Sequence, residues 1–180
     1  MGNPLTTTDL TYGNNLCGSV AYFCPTGSFK PSLVGVGHYS IGGTATTRTS
    51  ESICKPGNYC INGVMLNCPA GRYGTNFGEV DSLCEGECLE GFYCPLGSIS
   101  PKQIPSGDPG KFTRLGASTP EVVREGYYST GGTSVTRTNE VIAMPGYFAK
   151  GGILFPCPAS RYGKTEGLSD EFCSGDCEEG

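Results

Sequence analysis

Single aromatic residues at a regular spacing are the main hydrophobic pattern of this chain. A glycine, any one residue and an aromatic recur every 14 to 20 residues, with serine once in place of the glycine. Glycine supplies the left-handed backbone of tight turns, and each ring can pack on the next unit. The pattern predicts short β-hairpins with exposed rings for packing and assembly at Tyr39, Tyr59, Tyr73, Tyr93, Phe112, Tyr128, Phe148 and Tyr162.

Composition excludes long helices. The 180 residues include 29 glycines and 13 prolines, which cost about 1 and about 3 kcal/mol each inside a helix. No apolar run approaches the roughly 20 residues that cross a bilayer, so we expect no membrane span in this segment. The predicted fold is small, disulfide-rich and mainly β and coil, with tandem hairpin modules in an elongated solenoid-like array and almost no helix. Low-complexity coil is the alternative, which the regular rings and cysteines disfavour.

The chain contains an internal duplication. Gly37–Gly91 (the first repeat) aligns without gaps with Gly126–Gly180 (the second repeat) at an offset of 89, and 27 of the 55 positions are identical. A fixed period of this kind indicates a modular array rather than a globular enzyme. The predicted segments are a partial cysteine-rich unit (1–36), a first full repeat (37–98), a cysteine-free connector (99–125) and a second repeat truncated at its C-terminal end (126–180).

The two repeats indicate how the eleven cysteines pair. Cys54 and Cys60 are both replaced in the second repeat, by Ala143 and Ala149. Loss of the two together is expected if they bond to each other, because loss of one would leave a free thiol. The same spacing and related spacings predict five bridges: Cys17–Cys24, Cys54–Cys60, Cys68–Cys84, Cys88–Cys94 and Cys157–Cys173.

Cys177 remains unpaired or is paired outside the chain. By the offset of 89 its partner would fall at position 183, so we expect the chain to be a piece of a longer array. Zinc is the rival explanation, since Cys84 with Cys88 and Cys173 with Cys177 have tolerable ligand spacing. Disulfides fit the joint loss better, and many disulfides in a core-poor chain predict an extracellular or cell-surface location.

Catalytic motifs are not found in the sequence. The single histidine, His38, is replaced by Tyr127 in the second repeat, and the cysteines near residue 88 lie among acidic residues rather than basic ones. We therefore expect no enzyme and no cofactor. Calcium held by the acidic clusters is a weak alternative, and Arg72 and Arg161 are expected to pair with these carboxylates or to stack on rings.

Charge and threonine content bear on partners. The net charge of −5 argues against nucleic acid, which requires a basic face. Threonine clusters are candidate O-glycosylation sites, although threonine is also a common strand residue. The candidates are Thr6, Thr7, Thr8, Thr44, Thr46, Thr47, Thr49, Thr133, Thr136 and Thr138.

The segment Cys68-Pro-Ala-Gly-Arg-Tyr-Gly, followed by Cys84-x-x-x-Cys88 and Gly91-Phe-Tyr-Cys94-Pro-x-Gly-Ser, resembles the ephrin-receptor-like cysteine-rich repeat, also called the GCC2/GCC3 module. It is similar in turn to the opening loop of tumour-necrosis-factor-receptor cysteine-rich domains. The resemblance covers most of the chain from Cys17 onward. It implies extracellular, disulfide-laddered modules of the kind found in large protist and algal surface proteins, including mastigoneme-type fibres. Ala143, Ala149 and the cysteine-free stretch from Ile99 to Met144 depart from that pattern.

Together these observations predict a non-enzymatic structural segment of an extracellular filament or cell-surface coat. Its expected partners are copies of itself in a head-to-tail assembly, and glycans. The alternative is the stalk of a receptor or adhesin that binds a protein or glycan, for which Ile99–Val123 is the candidate ligand patch.

Overall fold

The computed structural model describes residues 17–178, which form eighteen short strands and no helix. Strands that follow each other in sequence pair, which gives nine two-stranded sheets. The predicted disulfide-rich fold of β-hairpins and coil is therefore confirmed. The strands are Tyr22–Phe23 (β1), Ser32–Leu33 (β2), His38–Ile41 (β3), Ser50–Ile53 (β4), Asn58–Ile61 (β5), Val64–Asn67 (β6), Arg72–Tyr73 (β7), Gly86–Glu87 (β8), Phe92–Tyr93 (β9), Ile104–Pro105 (β10), Lys111–Phe112 (β11), Glu121–Val122 (β12), Tyr127–Thr130 (β13), Asn139–Ile142 (β14), Tyr147–Lys150 (β15), Ile153–Pro156 (β16), Arg161–Tyr162 (β17) and Gly175–Asp176 (β18).

The duplication seen in the sequence is present strand by strand. Each strand from β3 to β8 has its counterpart between β13 and β18 with both bounds shifted by 89 residues. In β3, for example, Tyr39 faces Ser52 of β4, and the equivalent Tyr128 faces Val141 of β14. The two repeats therefore share one backbone plan, although about half of their aligned residues differ.

The described residues divide into two compact units. The first comprises the chain up to Pro69 with Tyr73–Gly86 and Leu96–Ile99. Its interior is made largely of sulfur and small polar groups rather than of large side chains. The residues buried there are Cys17, Ser40, Cys54, Cys60, Cys68 and Ser98.

The second unit comprises Ala70–Arg72, Glu87–Pro95 and the chain from Ser100. It buries small residues in the same way and adds two rings, Phe112 and Phe148, to its interior. Phe112 is 1% exposed and is the largest fully buried side chain among residues 17–178. The other residues buried there are Cys88, Cys94, Ser106, Thr113, Ser129, Ala143 and Ala149.

One position in the hairpins explains this composition. The residue directly after the ring is buried and small in seven of the hairpins, at Ser40, Cys60, Gly74, Cys94, Thr113, Ser129 and Ala149. Because neighbouring residues of a strand point to opposite faces, the ring and this small residue lie on opposite sides of the hairpin. The position after the ring is therefore occupied by small residues, although in two of these hairpins the ring itself, Phe112 or Phe148, is buried as well.

The glycine before the ring has an equally specific role. In five hairpins this glycine has a φ angle between 71° and 86°, and a Cβ there would overlap a backbone carbonyl oxygen in the loop of the hairpin two further along the chain. Each of these contacts lies within one of the two units. The pairs are Gly37 with Gly78, Gly57 with Gly97, Gly71 with Gly116, Gly91 with Thr136 and Gly126 with Gly167.

Hydrogen bonds repeat with the same spacing. The amide of Gly97 donates to the carbonyl of Cys68 at 2.9 Å, and the amide of Gly116 donates to the carbonyl of Cys88 at 2.8 Å. In both cases the carbonyl of the cysteine just after one hairpin accepts a hydrogen bond from the loop of the hairpin two further along the chain. Neighbouring hairpins are joined as well, for instance by the amide of Gly57, which donates to the carbonyl of Gly74 at 2.8 Å. In a chain with few large buried side chains, backbone contacts carry much of the order.

Five disulfides fasten this backbone, and they join the same cysteines that the comparison of the repeats pairs. They are Cys17–Cys24, Cys54–Cys60, Cys68–Cys84, Cys88–Cys94 and Cys157–Cys173, with Cα–Cα separations of 5.7 to 6.1 Å. Cys177 is free and exposed. The solenoid-like arrangement of the hairpins and the four sequence segments remain predictions.

Replacing Gly57 by alanine tests the glycine–carbonyl contact against an internal control. Gly57 and its counterpart Gly146 both have positive φ (75° and 86°), but a Cβ at Gly146 meets no atom of the described residues within 4 Å. Both variants incur the strain of a left-handed alanine, about 1 kcal/mol. We expect Gly57→Ala to lower the free energy of unfolding by at least about 2 kcal/mol more, as measured by denaturant unfolding with the disulfides intact. Equal losses would contradict the role of the carbonyl contact.

The Ala143→Cys/Ala149→Cys double variant tests whether alanine in the second repeat fills a vacant disulfide position. Ala143 and Ala149 are 0% and 1% exposed, and Cys54 and Cys60, which they replace, are 0% and 3% exposed. We expect the new cysteines to bond and to raise the free energy of unfolding by about 2 kcal/mol through closure of a short loop. Thiol titration and thermal unfolding with and without reductant measure this. Ala143→Cys alone serves as the control and should show an additional thiol and no such gain.

Candidate functional site

The aromatic side chains were expected to be exposed, and for Phe112 and Phe148 this is wrong. Phe112 and Phe148 are buried, at 1% and 8% exposure, and Tyr162 alone of the eight is exposed, at 46%. The other five, at Tyr39, Tyr59, Tyr73, Tyr93 and Tyr128, are half-buried. The rings therefore serve chiefly to pack the hairpins.

Contacts within the hairpins account for this burial. The Tyr73 ring lies 3.6 Å from where a Cβ of Gly86 would stand, and the Tyr162 ring has the same relation to Gly175. A ring on one strand thus covers a glycine on the partner strand. In the β15–β16 hairpin, Phe148 instead stacks on Phe155 with ring centroids 5.4 Å apart. Sequence spacing located the rings correctly but gave no information about what lies opposite each one.

The cysteine-free stretch is stabilised by packing. Phe112 and the following Thr113 are both fully buried, and the Arg114 guanidinium lies over the Phe112 ring at 4.8 Å from its centroid. Arg114 also bonds to both carboxylate oxygens of Glu121, at 2.7 and 3.0 Å. Ile99–Val123, the candidate ligand patch, contains three exposed apolar side chains, Ile99, Leu115 and Val122.

The acidic clusters are engaged by arginines as the sequence suggested. Arg72 lies 3.7 Å from Glu87, and its counterpart Arg161 lies 3.2 Å from Asp176 and over the Phe172 ring. Residues 17–178 contain no group of three or more histidine, cysteine, aspartate or glutamate side chains placed to hold a metal ion. Of the four cysteines considered for zinc, Cys84, Cys88 and Cys173 are bonded to other cysteines, and Cys177 is free.

The threonine clusters form turns. In the β3–β4 loop, the Thr44 amide donates to Thr47 Oγ1 at 2.8 Å, and in the β13–β14 loop the Thr133 amide donates to Thr136 Oγ1 at 2.9 Å. A Cβ on Gly42 or Gly131 would overlap the hydroxyl of Thr49 or Thr138 respectively. Thr46 is half-buried. These contacts give the threonines a structural role, and their O-glycosylation stays a prediction. Thr6, Thr7 and Thr8 lie outside the described residues.

One carboxylate has a perturbed pKa. In the β7–β8 loop, the Thr75 hydroxyl and the Thr75 amide both donate to Glu85 Oε2, the amide at 2.8 Å. Since both bonds favour the charged form, the hydroxyl bond first and the amide bond second, the pKa of Glu85 lies below the ordinary glutamate value. In the second repeat the Lys164 amide donates to Ser174 Oγ at 2.9 Å instead. The loop thus keeps its bond with a neutral acceptor.

A repeated apolar surface was missed by the sequence analysis. Three exposed apolar positions of the first repeat are also exposed and apolar in the second, with nearly equal exposed fractions. They are Val64 with Ile153 (38% and 45%), Leu66 with Phe155 (41% and 40%) and Leu83 with Phe172 (61% and 60%). We call these three positions in each unit the apolar face; the first two lie two residues apart on β6 or β16 and so point to the same side of the strand, and the third lies in the loop of the next hairpin. These positions can be recognised in the alignment at offset 89, because their residues differ between the two repeats but are apolar in both.

Comparisons with known proteins give no identification. No protein-family model and no curated protein matches this chain. The resemblance to the ephrin-receptor-like repeat therefore stays a prediction from the motifs alone. Within residues 17–178 there is no helix of the length and apolar character that crossing a membrane requires.

The Thr75→Val variant tests the cause of the Glu85 pKa shift. Removing the hydroxyl donor should raise the pKa of Glu85 toward 4.5 but not fully, because the Thr75 amide still donates. A lowered folded-state pKa contributes stability that is present above the unfolded value and is lost as pH falls through the folded value. The variant should therefore lose less stability than the wild type on acidification.

The measurement is an NMR titration of the Glu85 side chain, combined with unfolding at pH values on either side of 4.5. Ser174→Ala is the matched control at the equivalent loop of the second repeat. An unchanged Glu85 titration in Thr75→Val would show that another interaction lowers the pKa.

Proposed function

We propose that this chain is a non-enzymatic structural segment of an extracellular filament or cell-surface coat, built from disulfide-stapled hairpins that associate with further copies of the chain. The observation that carries the proposal is the apolar face. Each of the two units has it, at equivalent positions, while seven of the eight rings are buried or half-buried.

An apolar face that recurs with the module supports self-association. Scattered exposed apolar residues are normal on protein surfaces. Preservation of three positions while about half of the aligned residues have changed is more specific, because exposed positions otherwise tend toward polar residues. A contact between the same face on two molecules closes into a pair. Because this chain has the apolar face twice, each copy can contact a different neighbouring molecule, and such an assembly can grow into a fibre.

The disulfides support the extracellular setting. Five bridges in one chain are typical of extracellular or secreted proteins, because cytosolic reductants keep thiols reduced. They also suit a structural role. Short bridges that join neighbouring parts of the chain hold its shape under conditions in which an ordinary hydrophobic core would unfold, and this chain has few large buried residues to form such a core.

Self-association of the full oxidised chain is the test. We expect sedimentation to show growth with protein concentration, and negative-stain images to show fibres with a regular axial repeat. The Leu66→Ser/Phe155→Ser variant alters one position of the apolar face in each unit and should raise the concentration needed for assembly at least about tenfold, which corresponds to about 1.4 kcal/mol. Leu96→Ser is the control, since Leu96 is also exposed, at 63%, and lies outside the duplicated positions.

Two outcomes would contradict the proposal. Monomers at every concentration would favour the stalk of a receptor or adhesin. Fibres that form equally well from the Leu66→Ser/Phe155→Ser variant would show that another surface makes the contact. Preserved disulfide content and thermal unfolding of each variant ensure that loss of assembly is not loss of fold.

A further inference from the structure

Two equivalent pockets occur in the structure, one in each unit. The first lies between the β3–β4 and β5–β6 hairpins and includes Tyr39, Arg48 and Gly63 in its wall. The second lies between the β13–β14 and β15–β16 hairpins and includes Tyr128, Arg137 and Gly152, which are the same positions shifted by 89 residues. Their volumes are about 420 and about 490 Å³, and both open to solvent. We call them the arginine pockets.

The arginines in these pockets differ from every other arginine of the described chain. Between residues 17 and 178, the remaining four arginines each have a carboxylate within 4 Å, whereas Arg48 and Arg137 have none. Their Nη1 atoms make only long contacts, of 3.4 and 3.3 Å, to the carbonyls of Gly42 and Gly131. Their Nε atoms are buried without a hydrogen-bond partner. An arginine donor left buried and unbonded is costly, and here it occurs twice at one position.

The carboxylates closest in sequence to Arg48 and Arg137 bind other groups. The acidic residue three positions after each arginine is Glu51 or Glu140. Glu51 accepts from the Gly35 amide at 2.7 Å, and Glu140 binds Arg124 at 2.6 Å. Neither carboxylate pairs with Arg48 or Arg137, so the guanidinium nitrogens of these arginines beyond the buried Nε are available to a carboxylate from another molecule.

The backbone fixes each arginine in place before any ligand arrives. The Arg48 carbonyl accepts from the Cys24 amide at 2.8 Å, and the Arg137 carbonyl accepts from the Thr113 amide at 2.9 Å. The opposite wall is equally constrained, since a Cβ on Gly63 or Gly152 would overlap the carbonyl of Val20 or Pro109. Preorganisation of this kind lowers the entropy that binding must overcome.

The remaining lining indicates the class of ligand. Aliphatic side chains and a tyrosine stand beside the guanidinium in both pockets: Ile41, Val64 and Met65 in one, and Ile153 and Leu154 in the other. One fixed cationic fork beside an aromatic and aliphatic wall matches a ligand that has a carboxylate on a ring with apolar C–H edges. The openness of the pockets suits a residue within a polymer, whose chain must enter and leave.

We propose that the arginine pockets are two equivalent binding sites for the carboxylate-bearing sugars of an acidic polysaccharide. Arg48 and Arg137 bind the carboxylates, and Tyr39 and Tyr128 pack against the sugar rings. The net charge of −5 gives no general attraction for polyanions. Recognition therefore depends on the two pockets, and it weakens as salt screens the charges. This proposal does not depend on fibre formation.

Calorimetric titration of the full chain with a short oligogalacturonate tests the proposal, at protein concentrations where the chain is monomeric. We expect two equivalents to bind the wild type, one to bind Arg48→Gln, and at least about tenfold weaker binding to Arg48→Gln/Arg137→Gln. The methyl-esterified oligosaccharide, which has the same rings without charge, should bind at least tenfold more weakly to the wild type. Arg114→Gln is the matched control, because Arg114 is exposed and already paired with Glu121.

A second pair of variants keeps the test valid if glutamine disturbs the fold. Arg48→Lys and Arg137→Lys retain the charge but lose the planar fork, so each should weaken binding at its own site while disulfide content and thermal unfolding stay unchanged. Failure of the oligogalacturonate to bind would overturn the proposal, as would binding that survives the double glutamine variant. Tighter binding of a polyglutamate peptide through the same arginines would overturn the assignment to a sugar.

Discussion

The contact between a glycine Cα and the carbonyl oxygen two hairpins further along is the constraint on which the rest of this structure depends. At Gly57 the absence of a Cβ lets the Gly97 carbonyl approach directly, and the positive φ turns the chain into the next strand. The same approach recurs in both units. It sets a fixed spacing between hairpins, and the interior must then fit within that spacing.

The narrow interior determines which residues are buried. The position after each ring is occupied by cysteine, serine, threonine, alanine or glycine. Cysteine has an advantage there because it can bond to a cysteine six residues earlier in the chain, as Cys60 and Cys94 do, which compensates for the small apolar area that it buries. Cys54 with Cys60 and Ala143 with Ala149 fill equivalent space equally well. The backbone contacts therefore suffice for the fold at that position, and the disulfide adds stability rather than shape.

Much of this architecture could be predicted from the sequence because its rules are local. The spacing of glycine and ring located eight of the nine hairpins between residues 17 and 178, all but β1–β2, and joint replacement of Cys54 and Cys60 indicated the same pairing that the structure has. The burial of Phe112 and Phe148 could not be predicted in this way, because it depends on the residues across the hairpin and in neighbouring hairpins. The same holds for Arg48. Its identity is repeated in the sequence, but the commitment of Glu51 to the Gly35 amide is a property of the folded loop.

The reach of the glycine contacts has a consequence for how the chain acquires its structure. Their longest spans are 45 residues, from Gly71 to Gly116 and from Gly91 to Thr136, and the five bridges join cysteines only 6, 7 or 16 residues apart. Folding that depends on such short separations can follow synthesis closely, hairpin after hairpin. In an oxidising compartment each of the ten bridged cysteines can therefore meet its partner before many competing thiols have been synthesised. A chain with eleven cysteines thereby limits mispairing through the order in which its thiols emerge.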